Sequence, residues 1–176
     1  MATHSDNPCL LRGMLAGAIG GLAASWVMNQ FITAAMKVQE AAKSPAEKQQ
    51  QQAQQPQQQE SEDSTMKVAD AVTWLVTGQH LSKQGKQKGG PIVHYAFGTL
   101  MGALYGTLAS LSETATAGAG TAFGTGLFIA ADEVMVPALV TGQFPTKEPA
   151  SSQLTHYAAH LVYGTTTELL RRSIAA

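Results

Sequence analysis

Residues 13–36 have the sequence GMLAGAIGGLAASWVMNQFITAAM, which contains no Asp, Glu, Lys or Arg. Three further stretches share this property, namely residues 89–112, 114–131 and 149–167. A helix of about 18 to 20 apolar residues is long enough to cross the hydrocarbon core of a bilayer. An amphipathic helix of a soluble protein presents a charged face every turn or two. Since these stretches have no charged face, we expect four membrane-spanning helices.

The alternative is a soluble, alanine-rich helical bundle, because Gly, Ala and Thr supply much of each stretch in place of Leu, Ile and Phe. The first stretch also resembles a cleaved signal peptide, but its length favours a retained anchor. The 176-residue chain has a net charge of −1, which excludes a nucleic-acid-binding protein of the kind that relies on a basic surface.

Two short motifs occur twice in the chain and indicate an internal duplication. The motif LVTGQ at 75–79 recurs at 139–143, and His-Tyr-Ala at 94–96 recurs at 156–158. We therefore predict an all-α, integral membrane four-helix bundle made of two parallel helical-hairpin repeats. The predicted segments are an N-terminal tail at 1–12, a first hairpin at 13–36 and 90–112, a loop at 37–89, a second hairpin at 115–140 and 153–170, and a C-terminal tail at 171–176.

The loop at 37–89 is the only strongly hydrophilic region, and it contains glutamine runs at 49–52 and 54–59. Such a composition cannot bury enough apolar area to fold, so we expect a disordered insertion. Within it, residues 66–77 predict a short amphipathic helix with aliphatic residues on one side and Trp74 placed as an interface anchor.

The distribution of basic residues leaves the orientation in the membrane open. The loops between the predicted spans hold eight Lys, whereas Arg12, Arg171 and Arg172 accompany the termini. A bare count places the loops in the cytoplasm, but the positive-inside rule weakens for long loops.

Glycines recur at four-residue spacing along the predicted spans. They are Gly13, Gly17 and Gly21 in the first span, Gly98, Gly102 and Gly106 in the second, and Gly164 in the fourth. Small residues at this spacing let helix backbones approach closely in lipid. We expect them to pack helices tightly, either within the chain or in a homo- or hetero-oligomer within the lipid bilayer.

Alignment of the two repeats at His-Tyr-Ala places polar residues of the second copy opposite glycines of the first. His160 aligns with Gly98, and Glu168 aligns with Gly106. Together with the other polar residues of the spans they form a predicted polar layer, whose members are Asn29, Gln30, His94, Asp132, Glu133, His156, His160 and Glu168. A charge near the middle of a bilayer costs about 2.5 to 3.5 kcal/mol, so such groups mark a functional site.

Three interpretations of this layer remain open. The polar groups could set the register of the hairpins through hydrogen bonds. They could carry protons or ions, since imidazole titrates near neutrality. They could also hold a metal or haem, for which His156 and His160 are the candidates.

No motif of a nucleophile or a phosphate loop occurs, so we predict no enzymatic activity and no cofactor. The working hypothesis is proton or ion sensing or conduction, and its rival is an accessory or assembly subunit of a larger complex.

The C-terminal third resembles the YagU-like family of small bacterial inner-membrane proteins. The resemblance lies in the run YAAHLVY at 157–163 and in ELLRR at 168–172, where His160, Glu168, Arg171 and Arg172 match the family pattern. It implies a multi-span protein of the bacterial cytoplasmic membrane with its C-terminus inside and with no assigned reaction. The glutamine-rich insertion, His156 and the pair Asp132 and Glu133 depart from that pattern.

Overall fold

The computed structural model describes residues 7–49, 64–135 and 150–175, and every element in these ranges is helical. The second LVTGQ copy and most of the glutamine runs lie outside the described residues. We number five α-helices in chain order: α1 is Asn7–Ala42, α2 is Ser64–Thr77, α3 is Lys83–Leu111, α4 is Thr121–Phe128 and α5 is Ala150–Ala175. Residues 45–49 are also helical. A 3-10 helix at Glu113–Gly120 precedes α4, and a π-helix at Ile129–Met135 follows it.

Two of these helices are long and apolar enough to cross a membrane, namely α1 from Cys9 to Ala42 and α3. Helix α1 contains the whole of the predicted span at 13–36, and α5 contains the predicted span at 153–170. Helix α3 begins at Lys83, before the uncharged stretch that predicted it, so its first turns carry lysines.

The third predicted span, at 115–140, does not begin as a regular helix. Gly118, Ala119 and Gly120 have φ values of 66°, 52° and 89°. This left-handed backbone cannot continue a right-handed helix, and glycine adopts it without steric cost. The α-helix therefore starts only at Thr121, and it widens into the π-helix at Ile129. The end of the predicted span, from residue 136 onward, lies outside the described residues.

The chain divides into two compact units, Met1–Phe31 with His94–Ala176, and Ile32–Val93. In the first unit an aromatic core joins α3, α4 and α5, because the Phe123 ring lies 4.6 Å from Tyr105 and 6.4 Å from Tyr163. The Tyr163 hydroxyl also donates a hydrogen bond of 2.5 Å to the Gly98 carbonyl. In the second unit α2 packs on the first turns of α3 through the buried Ala69.

Apart from the buried Tyr105, Tyr163 and Met28, the first unit buries mainly small residues and exposes large aliphatic ones. Its most buried aliphatic and hydroxyl positions include Ala16, Ala24, Ser25, Ala159 and Thr167, all at most 1% exposed. Its exposed positions form long stripes, with Leu11, Leu15, Ile19, Leu22 and Trp26 on α1 and Leu100, Leu104 and Leu108 on α3. A soluble protein normally shows the opposite distribution, with its large apolar side chains inside.

Candidate functional site

Helices α1 and α3 approach each other through their glycines. A Cβ atom built on Gly102 would lie 2.7 Å from the Cα atom of Gly21, and one on Gly106 would lie 2.9 Å from the Cα atom of Gly17. Gly13 meets the Gly106 carbonyl in the same way. Real Cβ atoms essentially never come within 3.0 Å of such atoms. The backbones are therefore in direct contact, which only glycine permits.

A second contact of this kind joins the α4 region to α5. A Cβ atom on Gly164 would lie 2.9 Å from the Gly124 nitrogen, and one on Gly120 would lie 2.7 Å from the Gly164 carbonyl carbon. The backbone of His160 faces Gly124 on the same side of α5. The sequence reasoning named Gly164 but missed Gly120 and Gly124, although their four-residue spacing is the same signal as in the first two spans.

Next to this contact the structure brings together Asp132, His156 and His160, which we call the Asp–His cluster. The two histidines are four residues apart and so lie on one face of α5. Their Nδ1 atoms lie 3.5 Å (His156) and 3.7 Å (His160) from the Asp132 Oδ2 atom. Asp132 comes from the π-helix, an element that occurs frequently at functional sites.

Burial differs sharply within the Asp–His cluster. His160 is 7% exposed, its ring packs edge-on against Phe128 at 5.6 Å, and its Nδ1 atom lies 2.9 Å from the His156 carbonyl oxygen. The His156 side chain is 51% exposed. The Asp132 Oδ2 atom is buried and accepts no hydrogen bond in the described part of the chain.

These distances define what the cluster can do chemically. Separations of 3.5 to 3.7 Å are too long for good hydrogen bonds between neutral partners. They are short enough for an attraction once an imidazole carries a positive charge, and this attraction is stronger for the buried His160 than for the half-exposed His156, because water screens charges. The arrangement is thus a carboxylate beside two groups that can each accept one proton.

Glu168 does not join this cluster, and instead forms a separate Glu–Arg cluster with Arg171 and Arg172. Its side chain is fully buried, and it accepts hydrogen bonds from Arg171 Nε at 2.7 Å, Arg171 Nη2 at 3.0 Å and Arg172 Nε at 2.5 Å. The buried Tyr105 ring of α3 lies beside the same carboxylate. The spacing of three and four residues along one helix could have predicted both ion pairs.

The remaining members of the predicted layer lie elsewhere in the first unit. His94 packs edge-on against Tyr95 at 5.5 Å, and the Asn29 amide donates a hydrogen bond of 3.3 Å to the Tyr95 hydroxyl. Gln30 is exposed. Glu133 lines a shallow surface groove of about 370 Å³. The structure thus gathers three of the eight predicted residues into one cluster.

A protein metal site needs several ligands close together. Within the described ranges, no group of three or more His, Cys, Asp or Glu residues has the geometry to hold a metal ion. The two candidate ligands, His156 and His160, are the imidazoles of the Asp–His cluster.

Comparison with known proteins places the chain in an uncharacterised family. The model of a family described as a protein of unknown function (DUF1440) matches residues 31–169, which is more than half of the chain. No curated protein and no solved structure matches. This match does not establish the narrower YagU-like resemblance, which stays a prediction. The matched range includes the whole Asp–His cluster and Glu168 but not the glycines of α1. The chain therefore belongs to the DUF1440 family.

Proposed function

We propose that this chain is a polytopic membrane protein that binds protons at the Asp–His cluster, and thereby senses or conducts protons or other ions. The proposal has two steps. The first is insertion of the helices into a bilayer, which the resemblance to YagU-like proteins would make a bacterial cytoplasmic membrane. The second is the protonation of Asp132, His156 and His160.

Insertion into a bilayer is supported chiefly by the reversed placement of small and large residues. Glycines and alanines lie between the helices, while Leu15, Leu22 and Trp26 of α1 are 48% to 58% exposed. A continuous apolar surface of this kind is unfavourable in water. In lipid it is solvated by acyl chains, and close backbone packing supplies the attraction between helices.

Two helices are long and apolar enough to cross a membrane by themselves, and we propose two further spans beside them. We assign α1 and α3 to a first hairpin, and the α4 region and α5 to a second. The glycine contacts support this assignment, because Gly102 packs between Gly17 and Gly21 as Gly164 packs between Gly120 and Gly124. Helix α5 would then cross the bilayer, and Arg171 and Arg172 near its C-terminal end would lie at the membrane surface.

Proton binding follows from the chemistry of the cluster in such an environment. A carboxylate within a bilayer is expensive, by about 2.5 to 3.5 kcal/mol at the centre, and is retained mainly where it has a role. Imidazole is the side chain whose ordinary titration falls between about pH 5 and pH 8. A proton taken up by His160 or His156 would place a positive charge 3.5 to 3.7 Å from Asp132 and draw α5 toward the π-helix.

The rival role, an assembly subunit of a larger complex, has less support from the contacts. That role relied on glycine faces that remain available to another protein. Those of α1 and α3 meet each other within the chain, as do those of the α4 region and α5. The polar layer would in that case only set the register of the helices.

Purified protein in liposomes that contain a pH-sensitive dye tests the proposal. If the protein conducts, an imposed pH gradient dissipates with wild type and persists with His160→Ala or Asp132→Asn. If it senses, no flux occurs, but the structure of α5 depends on pH in wild type alone. The absence of both behaviours in correctly folded, inserted protein would overturn the proposal.

A further inference from the structure

The Glu–Arg cluster carries more positive charge than its carboxylate balances. Arg171 alone engages both oxygens of Glu168, because its Nε atom donates to Oε2 at 2.7 Å and its Nη2 atom donates to Oε1 at 3.0 Å. Guanidinium and carboxylate groups prefer this bidentate arrangement. Arg172 brings a second guanidinium to the same carboxylate, so that two positive charges face a single negative charge.

Arg172 uses only the inner part of its guanidinium group for this contact. Its Nε atom donates a hydrogen bond of 2.5 Å to Glu168 Oε1, while its side chain is 54% exposed. Within the described ranges, its two Nη groups have no hydrogen-bond partner. The Glu168 side chain, in contrast, is fully buried. The outer edge of Arg172 is therefore a pair of exposed donors whose inner end is held by a buried carboxylate.

Arg12 of α1 lies at the same end of the first unit. The next residue, Gly13, contacts the Gly106 carbonyl of α3. Tyr105, which precedes Gly106, lies beside Glu168. The Arg12 side chain is exposed. The Glu–Arg cluster and Arg12 therefore place cations from two different helices at one end of the unit.

The charges of the first unit are divided along its length. Its only Lys or Arg residues in the described parts of the chain are Arg12, Arg171 and Arg172. Asp132 lies beside His156 and His160, about three turns of α5 before the arginines. The described acids at the arginine end are Glu168 and the exposed Glu113, which follows the end of α3. Three arginines against two acids leave this end positive.

We infer that the outer edge of Arg172 binds the phosphate of an anionic lipid headgroup at the membrane surface. The inference rests on the membrane insertion proposed above, which brings the C-terminal end of α5 to that surface, and not on proton binding. The planar fork of a guanidinium matches two oxygens of a phosphate, which a lysine ammonium does not. Because Glu168 already restrains Arg172, binding costs less side-chain entropy than it would for an unrestrained arginine.

Native mass spectrometry of the full chain in detergent tests this inference, because it counts the lipids bound to each molecule. The probes, added separately, are dioleoyl phosphatidylglycerol and dioleoyl phosphatidylcholine, and inorganic phosphate is added as a competitor. The variants are Arg172→Gln and Arg172→Lys. Arg12→Gln is the matched control, because it removes an exposed cation from the same end of the unit but from another helix.

We expect the first phosphatidylglycerol to bind about fivefold more weakly to Arg172→Gln than to wild type, and at most about twofold more weakly to Arg12→Gln. Arg172→Lys should resemble Arg172→Gln, since it keeps the charge but loses the fork. Wild type should bind phosphatidylcholine more weakly than phosphatidylglycerol, because the choline group carries a positive charge.

Equal weakening by Arg172→Gln and Arg12→Gln would overturn the inference, because it indicates attraction to the charge of the whole surface. Unchanged binding in Arg172→Gln would overturn it too, and displacement of the lipid by inorganic phosphate would assign the site to a soluble anion instead. Carbonate extraction of membranes separates the two proposals. Release of the chain shows that membrane insertion itself fails, whereas a retained chain that binds both lipids equally contradicts the lipid site alone.

Discussion

The two helix pairs use the same backbone contact for different purposes. Between α1 and α3 the contact is glycine against glycine, with Gly102 packed on Gly21. Between the α4 region and α5, Gly164 makes the same kind of contact, but His160 and Glu168 occupy the aligned positions of Gly98 and Gly106. Close packing therefore needs a glycine at the middle of the contact and tolerates polar side chains on either side of it.

Because of this difference, one helix pair provides only backbone packing, and the other also carries the ionisable side chains. The side chains nearest to the glycine contact of the α1 and α3 pair are those of Ser25, Ser110 and Tyr163, which are neutral at ordinary pH, so this pair can serve as a scaffold. The pair formed with α5 adds the Asp–His cluster on one side of Gly164 and the Glu–Arg cluster on the other. Three substitutions test this division, in order of decreasing expected effect, and a fourth examines a contact outside both pairs.

Gly102→Leu should be the most damaging change. A side chain at this position meets the backbone of Gly17 and Gly21, so we expect a loss of about 3 kcal/mol in the free energy of unfolding, the upper end of the usual range for overpacking. Gly126→Leu is the matched control, because a Cβ atom on Gly126 meets nothing within 4 Å. Unfolding by SDS in mixed micelles measures both. Equal stability of the two variants would contradict the described contact between α1 and α3.

Glu168→Gln should come next, at about 2 kcal/mol, because it removes hydrogen bonds between charged groups from a fully buried carboxylate. Arg172→Gln is the comparison, since the Arg172 side chain is 54% exposed and exposed ion pairs contribute less than about 1 kcal/mol. The same unfolding assay applies. A larger loss for Arg172→Gln than for Glu168→Gln would show that the buried carboxylate is not the centre of the Glu–Arg cluster.

His160→Gly converts the second pair into a copy of the first at this position. We expect a smaller loss than for Glu168→Gln, because the packing contact at Gly164 remains. The loss combines about 1 kcal/mol for a glycine within a helix with the cavity that the buried imidazole leaves beside Phe128. Under the proposed function, the response of α5 to pH should be lost together with the imidazole. If unfolding by SDS depends on pH equally in His160→Gly and in wild type, His160 has no part in the proposed proton response.

Asp70→Asn should have the smallest effect, and it lies outside both pairs. The pKa of the Asp70 carboxyl in the folded chain, about 2, is below its ordinary value of about 3.9. Its contribution is therefore present above about pH 4 and is lost as the pH falls toward 2. The Leu81 amide donates a hydrogen bond of 2.6 Å to this carboxylate. Hydrogen exchange of the Leu81 amide should therefore quicken in wild type over that range, and in Asp70→Asn it should already be faster at neutral pH.

Much of this division could be predicted from the sequence, because glycine spacing and charge-free stretches are local patterns. The Glu–Arg cluster was also within reach, since Glu168 and its two arginines lie three and four residues apart on one helix. The separation of Asp132 from Glu168 could not be predicted from the sequence. It depends on the left-handed residues at 118–120 and on the π-helix, which change the direction in which the third predicted span presents its side chains. Neither feature has a periodic pattern in the sequence.

The central claim, that the Asp–His cluster responds to protons, is tested most directly by hydrogen exchange of α5 in liposomes at about pH 5 and pH 8, corrected for intrinsic rates. We predict that residues 156–160 are about threefold to eighteenfold better protected at the lower pH, because polar contacts in membranes contribute about 0.6 to 1.7 kcal/mol. The difference should vanish in Asp132→Asn and persist in Glu133→Gln. Equal protection at both pH values in wild type, or the same difference in Asp132→Asn, would contradict the claim.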